Sequence, residues 1–187
     1  MRNIILGGAV ALAFAGAAVA QDHSRMRHGS SAEGPAPTMV GPTLPTPDYI
    51  AAAGASDMFE IEQGKLARSM GKSQDVKAFG KMMVTEHMKT TSTLKASLKG
   101  MGMAPPPPAL RPDQQAMVDD LRGRSGADFD RTYLTQQLAA HQEALSVHTG
   151  YAAGGTEPKL KAVAAKTAPI VQSHINQLTA MQGRMGG

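Results

Sequence analysis

The chain has 187 residues, no cysteine, few aromatics and a formal net charge of +4. That length leaves room for about one ordinary domain once targeting segments are set aside. The lack of cysteine excludes disulfides, thiol catalysis and the acylated cysteine of a lipoprotein; interspersed charge without a Lys/Arg run speaks against nucleic-acid binding.

The N-terminus carries Arg2, an uncharged apolar run over residues 4–19, and Ala18-Val19-Ala20 before Gln21. A basic start, a short apolar core and an A-x-A site predict a cleavable signal peptide over residues 1–20. The expected address is the periplasm or the medium, with outer-membrane association left open. The run is shorter than a comfortable membrane span, and no later segment predicts a transmembrane helix. Residues 21–47 are rich in Ser, Gly, Pro, His and Arg. Such a stretch buries too little apolar surface to offset its ordering entropy, so it reads as a disordered linker.

The domain itself is predicted over residues 48–182, with residues 183–187 as a flexible tail. A first helix is expected over about residues 48–69, ending at Gly71. Ser73 is a good N-cap for the second, whose stripe is Val76, Gly80, Met83, His87, Thr90, Leu94 and Leu98. This spacing of three and four is the seam of a bundle helix. Gly100 and Gly102 stop it, and the proline run at 105–108 forbids continuation. Residues 112–122 read as a short extra helix with Pro112 in its first turn. The third long helix follows Ser125-Gly126, with Leu134, Leu138, His141, Leu145, His148 and Ala152 on one stripe. Gly154-Gly155 ends it. Thr156 caps the fourth, Pro158 lies in its first turn, and its stripe is Leu160, Val163, Thr167, Ile170, His174, Leu178 and Met181. Pro169 lies inside this helix and should kink it. Two tight turns and one long Gly/Pro connection give an all-α fold: a ferritin-like four-helix bundle with one long crossover plus a short extra helix.

Several short motifs recur in a familiar order. Glu60-Ile61-Glu62-Gln63-Gly64-Lys65-Leu66-Ala67 is followed by Val76-Lys77-Ala78-Phe79 and Met83-Val84-Thr85-Glu86-His87. Further on stand Ser125-Gly126-Ala127-Asp128-Phe129-Asp130-Arg131-Thr132-Tyr133 and Pro158-Lys159-Leu160-Lys161. Together they resemble the bacterial family called domain of unknown function 4142 (DUF4142), over roughly residues 48–181. The resemblance implies a ferritin-like bundle in an exported protein, with histidines equivalent to His87, His141 and His174. It supplies almost no activity. Two features depart from the family's pattern: Ala140 precedes His141 where Asp is frequent, and Ser56-Asp57 stands where a Gly pair is usual.

His87, His141 and His174 each fall on an apolar stripe of a different helix. Counting from the turns puts His87 level with Asp57, and His141 about one turn of 5.4 Å from His174. Inward histidines with Asp57, Glu60 or Glu62 could ligate Zn, Cu or Fe. The stronger reading of the pattern is core histidines hydrogen-bonded to one another or to Thr and Glu, with Glu60 and Glu62 solvated. A carboxylate-bridged di-iron centre needs Glu-x-x-His on two helices, but Val84, Leu138 and Val171 occupy the positions three before the histidines. His148 reads as a packing residue near the bundle's end, and Met58, Met83 and Met181 as core fillers. A second candidate is the mature terminus Gln21-Asp22-His23. A free amine, two amide nitrogens and a third-place imidazole would make a square-planar Cu(II) or Ni(II) site. No nucleophile elbow, P-loop or dinucleotide fingerprint is present.

The favoured reading is an exported, non-enzymatic bundle that binds an envelope partner or small ligand, in a stress-related role, with its contact surface at the Pro105–Pro108 crossover or on an exposed helix face. The alternative is a metal-handling or redox bundle (Cu, Zn or Fe) using the mid-bundle histidines.

Overall fold

In the computed structural model, residues 40–107 and 109–185 are described. Five helices appear among them and no strand: α1 (Thr46–Met70), α2 (Gln74–Lys99), α3 (Pro112–Arg122), α4 (Gly126–Gly154) and α5 (Pro158–Met185). The protein is thus an all-α, multi-helix bundle. The Gln21-Asp22-His23 terminus lies outside the described residues.

The helix signals act much as local chemistry dictates. Ser73 Oγ accepts the Val76 amide at 3.2 Å and starts α2, while Pro112 stands in the first turn of α3. Gly71 and Gly155 end α1 and α4. Pro169 removes one backbone donor from α5, yet the helix continues through it to Met185. Three expectations shift. The C-terminal tail expected from residue 183 is helical through Met185. The linker does not reach Pro47: α1 begins at Thr46, and the preceding residues lie along the C-terminal part of α4. There the Gly41 amide donates to Thr149 Oγ1 and Thr43 Oγ1 to the Gly150 carbonyl. The inward face of α5 carries Val171, which is buried, while Ile170 is exposed.

Pairs of contacts give the layout. Tyr49 meets His148 and Gln63 meets Gln137, so α1 and α4 run antiparallel. Glu86 meets His174 and Asp75 meets Arg184, so α2 and α5 do the same. The hairpins α1–α2 and α4–α5 therefore lie side by side, and the chain between α2 and α4 must travel the length of the bundle. On the way, α3 packs against α1 and α4. At Gly64 and Gly80 the backbones of α1 and α2 come so close that a Cβ on Gly80 would sit 2.8 Å from the Gly64 carbonyl oxygen.

The core is two apolar clusters with a polar layer between them. One cluster, at the α1–α2 turn, contains Val76, Phe79, Met83, Leu121, Phe129, Tyr133, Leu178 and Met181. The other, at the opposite end, contains Tyr49, Ile50, Leu94, Leu98, Tyr151 and Leu160. Met83 and Met181 fill the core as expected, whereas Met58 is only partly buried.

One buried charge outside that layer fixes the hairpin geometry. Asp130, on α4, is 1% exposed, and its two oxygens accept the Lys72 and Ser73 amides at 2.8 Å each. These donors are the N-cap of α2 and the residue before it. Asp130→Ala is expected to cost about 2–3 kcal/mol, read as a lowered denaturant midpoint at unchanged slope.

Candidate metal centre

The polar layer is assembled from one face of each long helix. On α1, Asp57 and Glu60 are three residues apart and so share a face; both are buried, Glu60 at 1% exposure. His87 on α2, His141 on α4 and His174 on α5 are also buried. Ring centroids stand 5.5 Å apart for His87–His141 and His87–His174, and 5.2 Å for His141–His174. One nitrogen from each of the three histidines lies within 4.8 Å of the others, and the same holds for the ligand atoms of Asp57, Glu60 and His87.

Each histidine is held from outside by an oxygen acceptor. His87 Nδ1 lies 2.9 Å from Asp57 Oδ1 and 2.8 Å from Glu60 Oε2. His141 Nδ1 is 2.8 Å from the Gln137 carbonyl, and His174 Nε2 is 2.7 Å from Glu86 Oε2. Carbonyl and carboxylate oxygens only accept, so the proton of each ring belongs on that outer nitrogen. Of the remaining, inner nitrogens, His141 Nε2 and His174 Nδ1 face each other, and His87 Nε2 is buried without a hydrogen-bond partner. His141 Nε2 and His174 Nδ1 are 3.2 Å apart, a contact between two lone pairs when both rings are neutral. Two nitrogens bound tetrahedrally at about 2.0–2.1 Å from one ion would be about 3.3–3.4 Å apart.

A further shell supports the carboxylates. Thr90 Oγ1 donates to Asp57 Oδ1 at 2.7 Å and Thr91 Oγ1 to Asp57 Oδ2 at 2.8 Å. Gln137 Nε2 donates to Gln63 Oε1 at 3.0 Å, and Gln63 in turn to Gln136. The buried side-chain atoms without a hydrogen-bond partner among the described residues are Glu60 Oε1, which lies 3.4 Å from His141 Nδ1, His87 Nε2, Tyr133 Oη and Gln137 Oε1. They come from this polar layer and its border with the apolar cluster below. Native proteins leave few such atoms, and Glu60 and His87 contribute two of them from within the groups that could hold a metal ion.

Electrostatics separates the three rings. Burial disfavours charge on His87, but the Glu60 carboxylate and the hydrogen bonds that His87 donates to Asp57 and Glu60 outweigh it, raising the His87 pKa to about 10. Glu60 is likewise opposed by burial, yet the charge of His87 and the nearby His141 bring it down to about 2. Burial lowers His141 and, with only partial compensation from Glu86, lowers His174 to about 4. Burial also raises the Tyr133 phenol, and the Glu60 charge adds to this. In the metal-free protein, then, the charged form is favoured at His87 and disfavoured at His141 and His174.

Of the residues singled out by sequence, His87, His141, His174, Asp57 and Glu60 come together. Glu62 does not: it pairs at the surface with Lys65 at 2.7 Å, pointing away from the layer. Glu60 is not solvated. His148 sits toward the end of the bundle as expected, with Nδ1 3.2 Å from Tyr49 Oη. His141 and His174 are in direct contact rather than one turn apart. Sequence reading missed Glu86, Gln63 and Gln137 as partners of the layer, although Glu86 directly precedes His87.

No curated protein matches the chain. Among solved structures it is similar to a DUF305 fragment from Deinococcus radiodurans, with a TM-score of 0.65 and 14% identity. The match covers 76% of this chain and 99% of that one, and it shows a shared helical fold. Residues 30–181 match the model of a family described as a domain of unknown function, and the chain belongs to that family, DUF4142.

Proposed function

We propose that this protein is an exported metal-handling bundle whose centre is the His87–His141–His174 triad. The carrying observation is the convergence of three inner imidazole nitrogens whose outer nitrogens are all fixed by oxygen acceptors. Metal-ligating histidines are typically oriented in this way, by a carboxylate or backbone carbonyl on the far ring nitrogen. Three imidazoles suit Zn, Cu, Fe or Ni. Asp57 and Glu60 hold His87, the Gln137 carbonyl holds His141, and Glu86 holds His174. The pairing of two hairpins through a long crossover supports a ferritin-like frame, although the chain lacks the Glu-x-x-His repeats of di-iron carboxylate proteins.

Export rests on the basic, apolar and A-x-A pattern of residues 1–20. In an envelope setting, a buried nitrogen site would sequester or deliver a transition metal, and a purely partner-binding bundle accounts less well for three histidines gathered within ligand distance at the waist. Elemental analysis of protein purified from the periplasm without refolding is expected to give about one transition-metal ion per folded chain, or the same ratio after loading with Zn2+ or Co2+. A clear failure to load, with no rise in Tm, would overturn the reading.

A further inference from the structure

The triad is buried, so an ion must cross the bundle wall to reach it, and the surroundings of the layer differ sharply in what they offer. Above and below lie the two apolar clusters, which would strip an ion of water without replacing it. On the α1/α4 side, Gln63, Gln136 and Gln137 are linked to one another. The indentation there, lined by Arg111, Glu143 and His148, has only about 10 Å³ of free space, no more than one water. A larger groove of about 630 Å³ lies between α1, α2 and the proline crossover, lined by Ile50, Met58, Ile61 and Leu94. It is apolar, and Asp57 with its Thr90 and Thr91 donors stands between it and His87.

The α2/α5 seam is different. A surface cleft of about 320 Å³ is lined by Glu86, Pro169, Ile170, Ser173, His174 and Gln177. Its floor is His174 itself, one of the three ring donors. Glu86 spans the wall: Oε2 accepts from His174 Nε2, while the side chain is 41% exposed. Ser173 and Gln177 add oxygen-bearing groups to the mouth. Pro169, five residues before His174, leaves the Ala165 carbonyl without its usual intrahelical donor, so this stretch of α5 is held less tightly than its neighbours.

We propose that divalent transition-metal cations enter and leave the triad through this α2/α5 cleft, with Glu86 as the first carboxylate they meet and His174 as the door. Glu86 attracts the hydrated cation. Its release of His174 Nε2 then frees the ring to swing outward, and the ring returns with the ion between its Nδ1 and the inner nitrogens of His87 and His141. The inference rests on the triad being a metal site. It adds a route, a positioning residue for loading and a dependence on ionic strength.

The test is stopped-flow loading of the intact metal-free protein with Co2+, followed by its visible absorption. Glu86→Gln keeps an acceptor for His174 but removes the charge. It is expected to slow association by about three- to tenfold and to flatten the salt dependence of the rate, as loss of a steering charge does. Ser173→Trp, which fills the mouth without touching a ligand, is expected to slow association and dissociation about equally, by about tenfold, with Kd nearly unchanged. Gln177→Trp serves the same purpose if Ser173→Trp does not fold. Unaltered rates and salt dependence in both kinds of variant, with Co2+ still bound, would overturn the route while leaving the metal centre standing. If the unmodified protein takes up no Co2+, the centre and its route fall together.

Discussion

His141→Ala is expected to abolish stoichiometric metal binding while the helices remain folded. His141 is fully buried, and its inner nitrogen is 3.2 Å from that of His174, so its loss removes a ligand and breaks the geometry of the pair. Changing only an outer partner of a ligating histidine typically costs about 10–100-fold in metal affinity; removal of the ligand itself should exceed that range. Part of the loss is distinct from binding, because truncating a buried ring leaves a cavity that costs about 2 kcal/mol in the metal-free protein. Thermal unfolding with and without ion separates the two. With free ion about 1,000-fold above Kd the unmodified protein gains about 4 kcal/mol. The variant should start lower and gain nothing. Binding must also displace the second proton that Glu60 and Asp57 hold on His87, so the affinity of the unmodified protein rises with pH through neutrality toward pH 10. A His141→Ala variant that still takes up about one ion per chain, with the usual rise in Tm, would remove the triad from consideration.

Much of this arrangement is written in single-helix periodicity, and the remainder is not. The spacing of Val76, Met83, His87, Leu94 and Leu98 puts His87 inside, and the corresponding stripes do so for His141 and His174. Periodicity also carried an unused signal about α1. Glu60 and Glu62 are two residues apart, about 200° around a helix, so they cannot both face inward; the core side belongs to Glu60 with Asp57, Gly64 and Ala67. The link from Glu86 to His174 is of another kind. Glu86 lies about 100° around α2 from His87 and reads as a surface charge until the rotation of α2 against α5 is known. The same holds for Val171, since both Thr167–Ile170–His174 and Thr167–Val171–His174 obey the three-four rule, and only packing against α2 chooses between them. The chain before Thr46 has the composition of a linker. It lies along α4 because Gly150 and Gly154 have no side chain where residues 41–43 pass.

Glu60→Ala should be the most destabilising single change in the waist, by about 3–5 kcal/mol, the usual cost of removing one partner of a buried ion pair. The pH profile distinguishes this from simple loss of packing. His87 has its folded pKa raised to about 10, so its contribution is fully present below its unfolded value near 6.5 and is lost as pH rises through about 10. Glu60, brought down to about 2, contributes above its unfolded value near 4.5 and loses that contribution as pH falls through about 2. His174 acts in the opposite sense to His87. Its folded pKa, lowered to about 4, means that the unfolded chain takes up the proton first, and stability falls as pH drops from about 6.5 to 4. The metal-free protein should therefore be most stable near pH 6.5 and decline on both sides. Without Glu60, His87 loses its main counter-charge, so the alkaline limb flattens and the limb below pH 4.5 shrinks. His174, held by Glu86 rather than Glu60, should keep its segment between 6.5 and 4. Urea midpoints measured across this range in chelator, for both proteins, test the assignment. A Glu60→Ala profile parallel to the original at every pH would mean that the carboxylate acts by filling space, and that the charge on His87 is held by Asp57 alone.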